Sequence, residues 1–291
     1  MKRMIFLLVA IFLLFTACSS TRPADVAATT LPVFEFATIL CENTDITVTR
    51  IITENVSCLH DYTLNVKQMQ AIESAQVVLI SGAGLEIFMD RALYASENVI
   101  DCSNGISLIE PHEHDHENHN GGHVHAEDPH IWLSPENAKI MASNICRALC
   151  QQFPQWTTTF QHNLKSLLLQ LDELQAYGDA QLKDLDCRQI ITFHDGFGYL
   201  AESFDLTILR AIEEESGSEA SAAELIDLIT EVNNHNLSAI FVEQNGSDSA
   251  ASIIARETGA KIFTLNMAMS GDSYFEAMYH NINTLREALH E

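Results

Sequence analysis

Thirteen histidines run through this 291-residue chain, and they are unevenly spread. His112, His114, His116, His119, His123 and His125 crowd into one stretch, interleaved with Glu113, Asp115, Glu117 and Asp128 and broken by Gly121 and Gly122. Imidazole alternating with carboxylate binds divalent transition metals, weakly and at several points. The absence of apolar periodicity predicts a surface loop, which also fits a solvated segment that meets metal only incidentally. Three more histidines stand where strands or loops run into helices. His60 lies in Ser57-Cys58-Leu59-His60-Asp61-Tyr62, His130 in Asp128-Pro129-His130-Ile131-Trp132, and His194 in Thr192-Phe193-His194-Asp195-Gly196-Phe197. A lone histidine at such a place is more often a hydrogen-bonded or surface residue. Three at like positions, one beside the histidine-rich stretch, make a stronger case for a site.

The elements that must carry these residues alternate. Short apolar runs predict strands at 47–51, 77–80, 99–101, 190–193, 206–211, 239–243 and 261–265. Helical periodicity predicts helices at 66–75, 85–94, 135–151, 197–204, 221–234, 248–258 and 274–289, with Pro135 well placed at a first helical position. Phe160, Leu164, Leu167, Leu168, Leu171 and Leu174 predict one long helix over 157–185, about 40 Å in length. The expected fold is α/β. Two α/β lobes, 31–154 (with the loop 110–127) and 187–291, are joined by one long rigid helix within 155–186. Ligands of such sheets bind beyond the carboxyl ends of the strands, which puts the site in the cleft between the lobes.

The chain opens on Met1-Lys2-Arg3, an apolar run over 4–15 and then Phe15-Thr16-Ala17-Cys18. That run is shorter than the roughly 20 residues a bilayer span needs, and it reads as an export signal over 1–17. Its end looks like a bacterial lipoprotein signal with lipid on Cys18, and 18–30 reads as a flexible tether. The formal charge of −25 argues against nucleic acid or anionic lipid as partners and suits a collector of cations. Of seven cysteines, Cys41, Cys58, Cys102, Cys146, Cys150 and Cys187 remain after Cys18, an even set that permits disulfides outside the cytoplasm. No Cys-x-x-Cys spacing offers a thiolate zinc site, so structural cysteines are expected.

From about Pro32 to the C-terminus the chain resembles the zinc- and manganese-specific solute-binding lipoproteins of bacterial ABC importers. The resemblance rests on His60-Asp61-Tyr62, on the stretch 128–135, on Phe193-His194-Asp195-Gly196-Phe197-Gly198-Tyr199 and on Gly271-Asp272-Ser273-Tyr274. The acidic histidine-rich insert before the second motif matches the zinc branch. The resemblance implies that His60, His130 and His194 bind the metal, with Asp272 or a water in fourth place. Manganese-type members carry glutamate where His194 stands, and imidazole suits zinc better than manganese. Three histidines and one oxygen make a tetrahedral zinc site with distances of about 2.0–2.2 Å.

Asp61 and Asp195 follow ligand histidines and could accept ring N–H groups, or cap helices instead. Glu213-Glu214-Glu215 and Glu243 read as a solvated turn and a strand end that could also touch metal or the partner. The resemblance implies Zn2+ as cargo, an ABC permease and its ATPase as partners, a monomer tied to the cell membrane through Cys18, and no catalysis. A hydrolase would need an open fourth position with a base beside it. No helix carries the His-Glu-x-x-His pattern, and there is no Gly-x-Ser-x-Gly turn and no glycine-rich phosphate loop. The alternatives are uptake of Mn2+ or Fe2+, or a surface lipoprotein that buffers metal or adheres.

Overall fold

The computed structural model describes residues 24–55, 59, 62–94, 98–109, 127–212, 221–244 and 246–290. The signal, Cys18, His60, Asp61, Glu213-Glu214-Glu215 and the six histidines of the 110–126 stretch lie outside the described residues.

Two four-stranded parallel sheets form the lobes. In the first, β1 (Val26–Ala28), β2 (Val48–Arg50), β3 (Val77–Ile80) and β4 (Val99–Asp101) stand in the order β2-β1-β3-β4. Val26 pairs with Val48 on one side and Val77 on the other, and Leu79 pairs with Ile100. The second sheet repeats the pattern. There β5 (Gln189–Thr192), β6 (Thr207–Ala211), β7 (Ala239–Glu243) and β8 (Lys261–Leu265) run β6-β5-β7-β8. In each sheet the strand order reverses beside the first strand, and there the crossing helices part to leave a crevice at the carboxyl ends.

The helices are α1 (Leu31–Leu40), α2 (Val66–Ser74), α3 (Asp90–Leu93), α4 (Pro135–Gln152), α5 (Thr157–Gln181), α6 (Gly198–Ser203), α7 (Ala222–Asn234), α8 (Ser249–Thr258) and α9 (Tyr274–Leu289). None of the described helices is long and apolar enough to cross a membrane. The 25-residue α5 lies between the lobes and buries Phe160, Asn163, Leu167, Leu171, Leu174 and Gly178, one stripe at helical spacing. Asn163 donates its amide to Leu40 O and Glu42 O at 3.0 and 2.9 Å, which satisfies carbonyls at the end of α1. One continuous apolar core runs through the first lobe, α5 and α9 into the inner part of the second lobe. A separate cluster around Ile191, Leu228, Ile240 and Ile254 sits under α7 and α8.

Three expectations are corrected. The segment 18–30 is not a tether throughout: Val26, Ala27 and Ala28 are fully buried and form the inner strand β1, followed at once by α1. That strand is only three residues long and mostly alanine, so no long apolar run announced it. The helix expected over 85–94 is a 3-10 turn, Ile87–Met89, followed by the single turn α3. The cause is Glu86, whose carboxylate turns inward to accept from the Ser81 and Gly82 amides and the Thr29 hydroxyl. Gly82, Ala83 and Gly84 consequently take positive φ. Finally, α5 stops at Gln181 rather than 185, because the Arg188 guanidinium takes the carbonyls of Leu182 and Lys183 at 2.9 and 2.8 Å.

Candidate metal centre

His194 stands two residues beyond the end of β5, and Glu243 is the last residue of the neighbouring β7, so both stand at the switch point of the second sheet. Thr192, fully buried, donates its hydroxyl to the His194 carbonyl at 3.1 Å and fixes the turn. The Glu243 carboxylate, 7% exposed, lies 3.5 Å from His194 Nδ1. A carboxylate against one ring nitrogen favours the tautomer that leaves the other nitrogen to bind metal.

His130 reaches the same place from the first lobe, just before the 3-10 turn Ile131–Leu133. One oxygen of Asp128 accepts the His130 backbone N–H at 2.9 Å and meets ring Nδ1 at 2.8 Å. The Asp128 carbonyl accepts the Tyr199 hydroxyl at 3.0 Å, and that same hydroxyl oxygen accepts the Ile109 amide at 3.1 Å. Burial pushes the Tyr199 phenol up to about 12, so it remains a donor. Trp132 packs edge-on against the His130 ring at 5.5 Å and donates its indole N–H to Met267 O at 2.7 Å.

The two imidazoles meet edge to face, with ring centroids 5.2 Å apart and planes at 81°. Gly196 makes that approach possible. A Cβ there would fall 2.6 Å from Met267 Cε, 2.7 Å from His194 Cδ2 and 2.8 Å from His130 Nδ1. A Cβ on Gly198 would meet Ile109 Cδ1 at 2.6 Å and Asp128 Oδ2 at 3.1 Å. The glycines of the motif after β5 therefore let the lobes touch beside the histidines.

Of the expected ligands, the structure brings His130 and His194 together. His60 lies outside the described residues, as do Asp61 and the loop histidines. Asp272 is described and exposed, between Gly271 (φ +105°) and the start of α9. Among the described residues no set of three or more His, Cys, Asp or Glu side chains is placed to hold a metal ion. Asp195 is half-buried, and Asp128 and Glu243 set carboxylates against the two rings. Asp128 was missed as a ring partner, and its signal was an acid two residues before a histidine. Glu243 carried no signal beyond its place at a strand end. Cys41, Cys102, Cys146, Cys150 and Cys187 are free thiols, with Cys146 and Cys150 4.0 Å apart on α4, and Cys58 lies outside the described residues.

Paired imidazoles from the two lobes, each with a carboxylate on one nitrogen, are suited to closing on a divalent ion. The high-affinity zinc uptake system protein ZnuA of Bacillus subtilis is 30% identical over 311 residues, covering 98% of this chain and 97% of that protein. The zinc-binding lipoprotein AdcA of Streptococcus pneumoniae is 28% identical over 99% of this chain, which spans 61% of AdcA. The crystal structure of a ZnuA deletion mutant with zinc bound superposes with a TM-score of 0.78 at 25% identity, covering 92% of this chain and 99% of that one. Residues 26–288 match the family of zinc-uptake complex component A, periplasmic, and the chain therefore belongs to the ZnuA family.

Proposed function

We propose that this chain is the extracytoplasmic solute-binding subunit of an ABC importer, which captures Zn2+ between its lobes and hands it to a membrane permease driven by a cytoplasmic ATPase. The observation that carries the reading is the His130–His194 pair, 5.2 Å apart, with Asp128 and Glu243 against their Nδ1 atoms. Two rings oriented this way present nitrogen donors to one point between the lobes. His60 and Asp272 complete the proposed set, giving three imidazoles and one oxygen, which favours zinc over the more oxygen-seeking manganese. The histidines between 112 and 125 act as a weak collector of the ion. Export through the signal at 1–17 and lipid on Cys18 place the protein at the outer face of the membrane, as a monomer, with no catalytic role. Support for the anchor comes from the basic, apolar and Cys18-terminated opening of the chain and from its similarity to a zinc-binding lipoprotein.

The test is a competitive zinc titration with manganese run in parallel, on the intact chain, on His194→Ala and on the chain lacking 112–125. One tight zinc site that survives loop deletion and collapses in His194→Ala is the expected result. Tight binding that disappears with the loop would make the loop the sink and favour a metal-buffering surface protein.

A further inference from the structure

The loop that carries Asp272 leaves the second lobe at β8, but several of its polar contacts are to the first. Its opening is held by its own lobe and by α9: Asn266 N–H donates to Asn281 Oδ1 at 2.7 Å, and Asn281 Nδ2 donates to Asn266 O at 2.7 Å. From Met267 onward the partners change. Trp132 Nε1 donates to Met267 O at 2.7 Å and the Leu31 amide to Met269 O at 3.1 Å. Arg50 Nη1, at the end of β2, donates to Gly271 O at 2.7 Å. Glu35 of α1 accepts the Ser273 hydroxyl at 3.0 Å and the Tyr274 amide, so a first-lobe carboxylate sits on the amino end of α9. The Tyr274 hydroxyl closes the circuit on Trp132 O at 2.8 Å.

The residue before Asp272 is thus gripped by a guanidinium from the opposite lobe. Arg50 is itself set in place: its guanidinium lies 5.8 Å above the Phe34 ring, and its charge acts on neighbouring Glu35. Gly271 adopts φ +105°, a conformation that side-chain-bearing residues rarely take, and it aims its carbonyl at Arg50. We infer that Arg50 is a positioning residue of the metal site. It fixes the loop so that the Asp272 carboxylate travels with His130 and the first lobe, while His194 alone belongs to the part that swings away. The ion is then held by an unequal division of ligands, and withdrawal of one imidazole begins its release.

This inference rests on the proposed role of Asp272 as ligand, and a double-mutant cycle separates the two. Zinc affinity is measured by competition for the intact chain, Arg50→Ala, Arg50→Lys, Asp272→Ala and the Arg50→Ala/Asp272→Ala double variant, with thermal unfolding of each metal-free protein. Arg50→Ala is expected to weaken zinc about 10-fold, the scale of losing a residue that orients a ligand. The same change in the Asp272→Ala background is expected to cost less than about twofold, and Arg50→Lys to restore part of the loss by donating one hydrogen bond. Equal losses in both backgrounds overturn the inference, because they mark a general structural effect. A loss for Asp272→Ala with none for Arg50→Ala overturns the positioning role alone. No loss for Asp272→Ala overturns the ligand assignment and the inference with it.

Discussion

Replacing Asp128 by asparagine tests the site through a residue that binds no metal in the proposed set. Its Oδ1 accepts two bonds from one residue, the His130 amide at 2.9 Å and the ring at 2.8 Å, and the side chain is almost fully buried. Asparagine keeps the shape and one acceptor oxygen, so the turn should survive. What disappears is the charge. A charge-assisted hydrogen bond contributes about 1.5–3 kcal/mol, against about 0.5–1.5 kcal/mol for a neutral one. The difference, about 1–2 kcal/mol, falls on the basicity and orientation of the imidazole when it binds an ion, and corresponds to about 5–30-fold in Kd. Asp128→Ala removes both bonds and should reach about 10–100-fold. Competition against a fluorescent chelator at fixed pH gives the ratio, and Asp172→Asn serves as the control because Asp172 is an exposed carboxylate of α5 paired with Lys139. If Asp128→Asn binds within twofold of the parent, or if Asp172→Asn loses as much, the carboxylate against the ring is not tuning the ligand and the reasoning fails.

The remaining predictions concern the frame. Burial raises the Glu86 carboxyl from 4.5 to about 7 despite its three donors, so the fold prefers its neutral form. The stability this contributes is fully present below about pH 4.5 and is lost as pH climbs through about 7. It amounts to about 3 kcal/mol at most, and Glu86→Gln should flatten that part of a urea-unfolding pH profile. An unchanged profile would count against it. Gly178→Ala adds a helix-favouring residue inside α5, worth about 1 kcal/mol, yet its Cβ would fall 2.1 Å from Phe204 Cε1. Overpacking of this kind costs about 1–3 kcal/mol, so a lower Tm is expected, and a higher one refutes the contact. Deleting residues 24–28 removes the inner strand β1 and should abolish cooperative unfolding by circular dichroism. A truncated chain with native thermal stability would show that β1 is dispensable.

Much of the frame was legible because its signals are local. The strands Val77–Ile80, Ala239–Glu243 and Lys261–Leu265 and the helix Tyr274–Leu289 coincide with the residues their apolar patterns predict. The end of α5 was not legible, because it is set by Arg188 reaching back from just before the next strand. β1 was missed because alanines buried on both faces of a sheet resemble a small-residue linker. At the site, His130 and His194 stood out by type and position. The partner of the His194 ring is decided by which strands lie side by side. Asp195 is adjacent in sequence, but Glu243 reaches His194 across β5 and β7, and no spacing along the chain encodes that pairing.

The early start of β1 also changes how an anchored molecule would hang. Asp25 is already locked into the fold, its carboxylate accepting Thr47 N–H and hydroxyl at 3.0 Å and the Gln76 amide at 2.7 Å. With lipid on Cys18 as proposed, the leash from lipid to fold is at most about 25 Å when fully drawn out. That is little more than the ~18 Å radius of gyration of a globule this size. The leash joins at the amino ends of the strands, while the histidines lie at the carboxyl ends. A molecule moored this closely by its far side would not turn over freely above the bilayer. It would roll against the surface and meet a membrane partner by moving sideways, a search in two dimensions rather than three.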